Sequence, residues 1–133
     1  VMRFAGYAAV FDRVDRGGDV IRPGASARTL ARAGSGVPLL WQHDAGRVIG
    51  RVEQLREDRR GLRVIGRIEG KGPVAQQAMA MLRAGRVDGL SFGYRVVKGR
   101  AGRVRELQEL ELIEVSVVAT PMQPLARVHM VEG

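Results

Sequence analysis

"DGLSFGYRVV", residues 88–97, is the stretch whose reading decides the fold. Gly89-Leu90-Ser91-Phe92-Gly93 spells G-x-S-x-G. In an α/β-hydrolase that pattern marks a nucleophile elbow, with a strand before the serine and a helix after it. Here the chain continues Tyr94-Arg95-Val96-Val97, aromatic and β-branched residues that favour more strand. The elbow also requires a histidine downstream of its serine, and only His129 qualifies. A chain of 133 residues is too short for the large parallel sheet such an enzyme needs. The stretch therefore reads as a strand of a β-rich domain. Leu90, Phe92, Tyr94 and Val96 share one face, and Ser91, Gly93, Arg95 and Val97 share the other. The bulky set is the core side, so Ser91 points away from it. Gly93 is read as room for a substrate backbone to come close.

Outward from this strand, glycines and prolines cut the chain into short elements. Strands are expected at Met2 to Val10, Asp19 to Arg22, Val37 to Gln42, Val48 to Leu55, Leu62 to Glu69, Leu90 to Val97 and Arg103 to Ala119. Asp15-Arg16-Gly17-Gly18 and Asp58-Arg59-Arg60-Gly61 carry turn residues. Ser26 to Ala33 has the composition of a short helix, with Ser26 as a candidate N-cap. Pro73 to Ala84 is the clearest helix. Proline suits its first turn, Val74, Ala78, Met79 and Leu82 form an apolar stripe, and Gly85 is placed to stop it. Many strands with two short helices predict one domain over residues 1–133, a compact, mostly antiparallel β-barrel with flanking helices.

Composition narrows the chemistry. With 45% hydrophobic and 27% charged residues the chain reads as globular. There are no cysteines, which removes disulfides, thiolate metal sites and thiol nucleophiles. No apolar run approaches the ~18 residues of a spanning helix. The chain opens directly in a strand-like pattern, as a trimmed or processed core would. The net charge is +8, but the basic residues are scattered, and only 5% of residues are aromatic. That is poor material for a base-stacking platform, so nucleic acid is not the expected partner. Gly66 to Gly72 has the wrong glycine spacing for a phosphate loop. Asp12, Asp15 and Asp19 lack calcium-loop spacing, and two distant histidines without cysteine argue against zinc.

Serine needs a base at neutral pH, and histidine is the usual one. His43 closes the apolar run Leu39-Leu40-Trp41-Gln42, a position that suits a partly desolvated general base. Asp44 adjoins it but points the other way in an extended chain. Glu114 is a carboxylate inside the apolar run Leu112 to Ala119, where a charge needs a partner. Ser116 shares its face as an alternative orienting group. His129 falls in an expected terminal strand and reads as a structural rather than a catalytic histidine.

In this order, "GGDVIRPGA", "VPLLWQHD" followed by "VIGRV", "GLRVIGRI", "DGLSFGYRV" and "LIEVSVVATPMQPLA" resemble the caudoviral prohead (procapsid maturation) serine proteases, relatives of the herpesvirus assemblins. The pieces cover nearly the whole chain. Ser26 departs from the pattern, standing where the family usually has an aromatic. The resemblance implies Ser91 as nucleophile, His43 as general base and Glu114 at the third position, where the herpesvirus relatives use a second histidine. It implies a herpesvirus-protease-like barrel, no cofactor and no metal. The substrate would be scaffold, or the scaffolding segment of the capsid protein, together with the chain itself. The place would be the assembling prohead in the host cytoplasm, within a shell of major capsid protein. A homodimer is compatible with this reading, and a membrane has no part in it. Oxyanion donors are sought in Thr120-Pro121-Met122-Gln123 or a nearby arginine. The competing class is a non-catalytic capsid-assembly module that binds scaffold or capsid protein.

Overall fold

The computed structural model describes residues 1–33 and 36–133. Eight strands and two helices follow in the order β1 (Met2–Val10), β2 (Asp19–Ile21), α1 (Ala27–Ala33), β3 (Pro38–Trp41), β4 (Asp44–Glu57), β5 (Gly61–Ile68), α2 (Pro73–Arg83), β6 (Gly89–Arg100), β7 (Arg105–Val118) and β8 (Val128–Glu132). The DGLSFGYRVV stretch is strand on both sides of Ser91. No helix follows that serine, so no elbow forms.

The strands make one mixed sheet, ordered β2-β7-β3-β4-β5-β1-β8, with β6 pairing on β7. β2 and β3 run parallel to β7, and the remaining pairings are antiparallel. The expected closed barrel is thus corrected to an open ladder among the described residues. β2 is only three residues long, and β8 and β6 meet through a single bridge, Gly89 to Arg127, before β8 begins. Too few backbone groups face each other there for a continuous seam.

Local chemistry explains the elements that frame the site. Asp58 turns β4 into β5 by accepting from the Arg60 and Gly61 amides. Asp15 does the same for the loop before β2, with Oδ1 accepting from Gly17 and Asp19. α2 starts on Pro73 and buries Ala75, Ala78, Met79 and Leu82. It stops where Gly85 takes φ +68°, a left-handed conformation that glycine adopts without a Cβ penalty. Phe4, Leu39, Val52, Val64, Leu90, Leu107 and Val115 are almost fully buried in the core between these elements.

β7 carries a local irregularity that matters for function. Tyr94 pairs with Leu112 while Gly93 pairs with Glu114, so Ile113 is a bulged extra residue. Strict alternation would put Leu112 and Glu114 on one face. The bulge lets Leu112 stay in the core and leaves Ile113 55% exposed, while Glu114 turns to the opposite face.

Candidate active site

β6, β7 and β3 lie side by side and deliver the candidate residues. Ser91 pairs with Ser116 across β6 and β7, and Leu40 pairs with the same Ser116 from β3. Leu90, Phe92, Val115, Val117, Leu39 and Trp41 form the core side of these strands. Ser91, Gly93, Glu114 and Ser116 occupy the other side, because paired residues on neighbouring strands point the same way.

His43 reaches this face from a turn. Trp41 pairs with Asp44, so Gln42 and His43 are the two loop residues of a β3–β4 hairpin. Their φ values are +53° and +61°. Two-residue hairpins of the I′ kind need positive φ at both central positions, a cost usually avoided with glycine or asparagine. Gln42 is held to the end of β7: its amide donates to Val117 O (3.0 Å) and its Oε1 accepts from Ala119 N (3.1 Å). The expectation that His43 simply ends a strand is therefore sharpened. It sits at the tip of a strained turn clamped onto β7.

His43 Nδ1 lies 2.5 Å from Glu114 Oε1. Glu114 Oε2 accepts from Ser116 Oγ at 2.6 Å, and Ser116 Oγ in turn accepts from the His43 amide at 3.1 Å. Glu114 and Ser116 are buried, whereas the His43 ring is about half open to solvent. The hydrogen bond that His43 donates to Glu114 raises the His43 pKa above its ordinary value, opposed by desolvation and helped by the charge of Glu114. A carboxylate on Nδ1–H leaves the Nε2 lone pair free to accept a proton. Asp44 plays no part: it accepts from Gly46 N and pairs with Arg47.

Ser91 is 7% exposed, and its Oγ has no hydrogen-bond partner among the described residues. No buried side-chain oxygen among the described residues lacks a partner, so this hydroxyl reaches the surface. The structure joins His43, Glu114 and Ser116 by hydrogen bonds and sets Ser91 on the adjacent strand. It does not join Ser91 to His43 by a hydrogen bond.

Two expectations change. Gly93 does not clear space for a substrate backbone, because Glu114 fills it: a Cβ there would stand 2.5 Å from Glu114 Oε1 and 3.0 Å from its Cδ and Cγ. Gln123 is also committed elsewhere, with Oε1 accepting from Val10 N and Nε2 donating to Arg13 O. The arginine brought to that loop is Arg16, whose Nε donates to Pro121 O at 3.0 Å. His129 is exposed, with its ring 5.6 Å from that of Tyr7. Sequence reasoning missed the Gln42–His43 turn and the slot over Gly93, since neither residue type announces its role.

A family model described as caudovirus prohead serine protease matches residues 1–133. The prohead protease of Enterobacteria phage HK97 is 34% identical over 125 residues, covering 89% of this chain. The chain spans 55% of that relative's length. Among solved structures, the bacteriophage T4 capsid assembly protease matches with a TM-score of 0.70 and 14% identity, over 87% of this chain and 80% of its own. The KSHV protease bound to a hexapeptide phosphonate inhibitor matches at 0.63 and 12% identity, over 99% of this chain and 65% of its own. At these identities the structural likeness concerns the fold.

Proposed function

The chain belongs to the caudovirus prohead serine protease family, and from that premise we propose that it is a serine endopeptidase of prohead maturation. Ser91 is the nucleophile, His43 the general base and Glu114 the group that orients the histidine. One observation carries the reading: Glu114, on the strand paired with the one that bears Ser91, holds His43 by Nδ1 and so leaves Nε2 as the nitrogen that can take a proton.

The chemistry is acyl transfer. His43 Nε2 takes the Ser91 proton as Oγ attacks a peptide carbonyl, and the resulting imidazolium is stabilised by Glu114. The proton then passes to the departing amine, and water, activated by the same nitrogen, releases the acyl chain and restores the serine. The oxyanion needs donors about 3 Å away. In this reading they come from the Thr120-Pro121-Met122 segment after β7, to which Arg16 is tied by its bond to Pro121 O. The substrate in this reading is scaffold, or the scaffolding segment of capsid protein, cut inside the assembling prohead, together with the enzyme's own longer precursor.

The test is incubation of the protein with scaffold-bearing capsid precursor. Site-specific cleavage that disappears in Ser91→Ala supports the reading. Cleavage undiminished in Ser91→Ala overturns it, and binding without cleavage by the wild type makes the chain an assembly module instead.

A further inference from the structure

The peptide chemistry proposed above uses Ser91, His43 and Glu114, yet two other residues on the same face have features that a plain sheet does not require. Ser116 is completely buried. It bridges the two partners of the histidine–carboxylate pair from behind, donating to Glu114 Oε2 and accepting from the His43 backbone amide. Gly93 stands directly opposite Glu114 in the ladder. Its missing Cβ is the volume that the Glu114 stem and carboxylate occupy.

We infer that Gly93 and Ser116 are positioning residues that form a cradle for the His43–Glu114 pair, Gly93 by vacating the slot over β6 and Ser116 by tying the Glu114 carboxylate to the His43 turn. The physical need is clear. A glutamate side chain has several rotatable bonds, and a histidine at positive φ has a backbone that would relax elsewhere if it were free. Left alone, neither would hold a 2.5 Å contact at one orientation. Ser116 fixes both at once, because its single oxygen serves the carboxylate as donor and the turn amide as acceptor. The bulge at Ile113 completes the cradle by turning Glu114 away from the core and over Gly93. The two residues act from opposite sides of Glu114. Gly93 sets how low it lies on β6, and Ser116 sets which way its carboxylate faces.

The assignment rests on the catalytic reading for its consequence, though the cradle itself can be read without substrate. In Ser116→Ala, Glu114 Oε2 and the His43 amide lose their shared partner. In Gly93→Ala, the new methyl pushes the Glu114 stem off the strand. Both variants should lower kcat by about 10- to 100-fold with KM changed less, since Ser91 and His43 themselves are retained and only the alignment of the pair is lost. Structural damage alone would lower the folded fraction without altering the histidine in the molecules that remain folded.

The deciding measurement is therefore nitrogen-15 NMR of the His43 imidazole in the unliganded wild type and both variants, with circular dichroism to verify folding. The wild type should hold one tautomer, protonated at Nδ1. Ser116→Ala should shift it toward the mixture of free imidazole, and Gly93→Ala should also move its titration midpoint down toward that of ordinary histidine. In the wild type the His43 amide should exchange slowly despite its place in a surface turn. A fast-exchanging His43 amide, or folded variants with the wild-type tautomer and midpoint, would overturn the cradle. If the cradle signatures appear but cleavage survives Ser91→Ala, the catalytic reading fails and the cradle stands.

Discussion

His43 Nδ1 lies 2.5 Å from Glu114 Oε1, although 71 positions separate the two residues in the chain. This contact raises the His43 pKa, the hydrogen bond to Glu114 being the largest cause. A general base works only when neutral, so cleavage should rise with pH through a midpoint above the ordinary histidine value of about 6.5. Glu114→Gln removes the acceptor charge. The midpoint should fall toward the ordinary value, and the plateau rate should drop about 100-fold or more as the tautomer and imidazolium lose support. Stability carries the opposite sign. A raised folded pKa contributes stability below the unfolded value, and that contribution is lost as pH climbs through the folded one. Rate profiles and denaturation at several pH values check both, and a Glu114→Gln profile matching the wild type would exclude the role given to Glu114.

Gly61 carries the next expectation. A Cβ there would overlap the carbonyl oxygen of Ala9 on the paired strand, a backbone atom that cannot swing aside. Gly61→Ala should therefore destabilise by about 1–3 kcal/mol, lowering the melting temperature by several degrees. Thermal denaturation followed by circular dichroism measures it. An unchanged melting temperature would mean the β1–β5 register is looser than described.

β2 is a three-residue parallel strand and owes its place to a charged fork. Arg105 Nε and Nη2 each donate to an Asp19 carboxylate oxygen at 2.9 Å, and Asp19 is buried. Asp19→Asn removes the charge and one acceptor from that fork. Amide exchange at Val20 and Ile21 should accelerate before global unfolding does, with a stability loss of about 1–3 kcal/mol. Equal acceleration across the whole sheet would show that β2 does not open on its own.

The elements around this site differ in how far the sequence announces them. β1 and α2 are legible almost to the residue because alternation and helical spacing are strong there, and because Pro73 and Gly85 punctuate α2. The outward face of Ser91 follows from strand alternation alone, and Glu114 is marked by a charge in an apolar run. The His43 turn is hidden because Gln42 and His43 are not residues that advertise positive φ. Here the clamp onto Val117 and Ala119, a tertiary force, overrides local preference. The Ile113 bulge and the open ladder depend on partners distant in the chain, which periodicity does not encode. Gly93 reads as space from sequence, but what fills that space is visible only in three dimensions.

The +8 charge has a kinetic consequence. If the substrate scaffold is acidic, the enzyme's field should speed encounter at low ionic strength. Association rates measured by stopped flow should fall as salt is raised from about 50 to 500 mM, while the dissociation rate changes less. A flat response would remove charge steering from the account.

The central claim is that Ser91 is a nucleophile activated by His43. Reaction with a fluorophosphonate, mapped by mass spectrometry, tests it most directly. A single adduct should form on Ser91, at a rate that rises with pH through the His43 midpoint and falls by orders of magnitude in His43→Ala. An adduct on another residue, or undiminished labelling of Ser91 without His43, would contradict it.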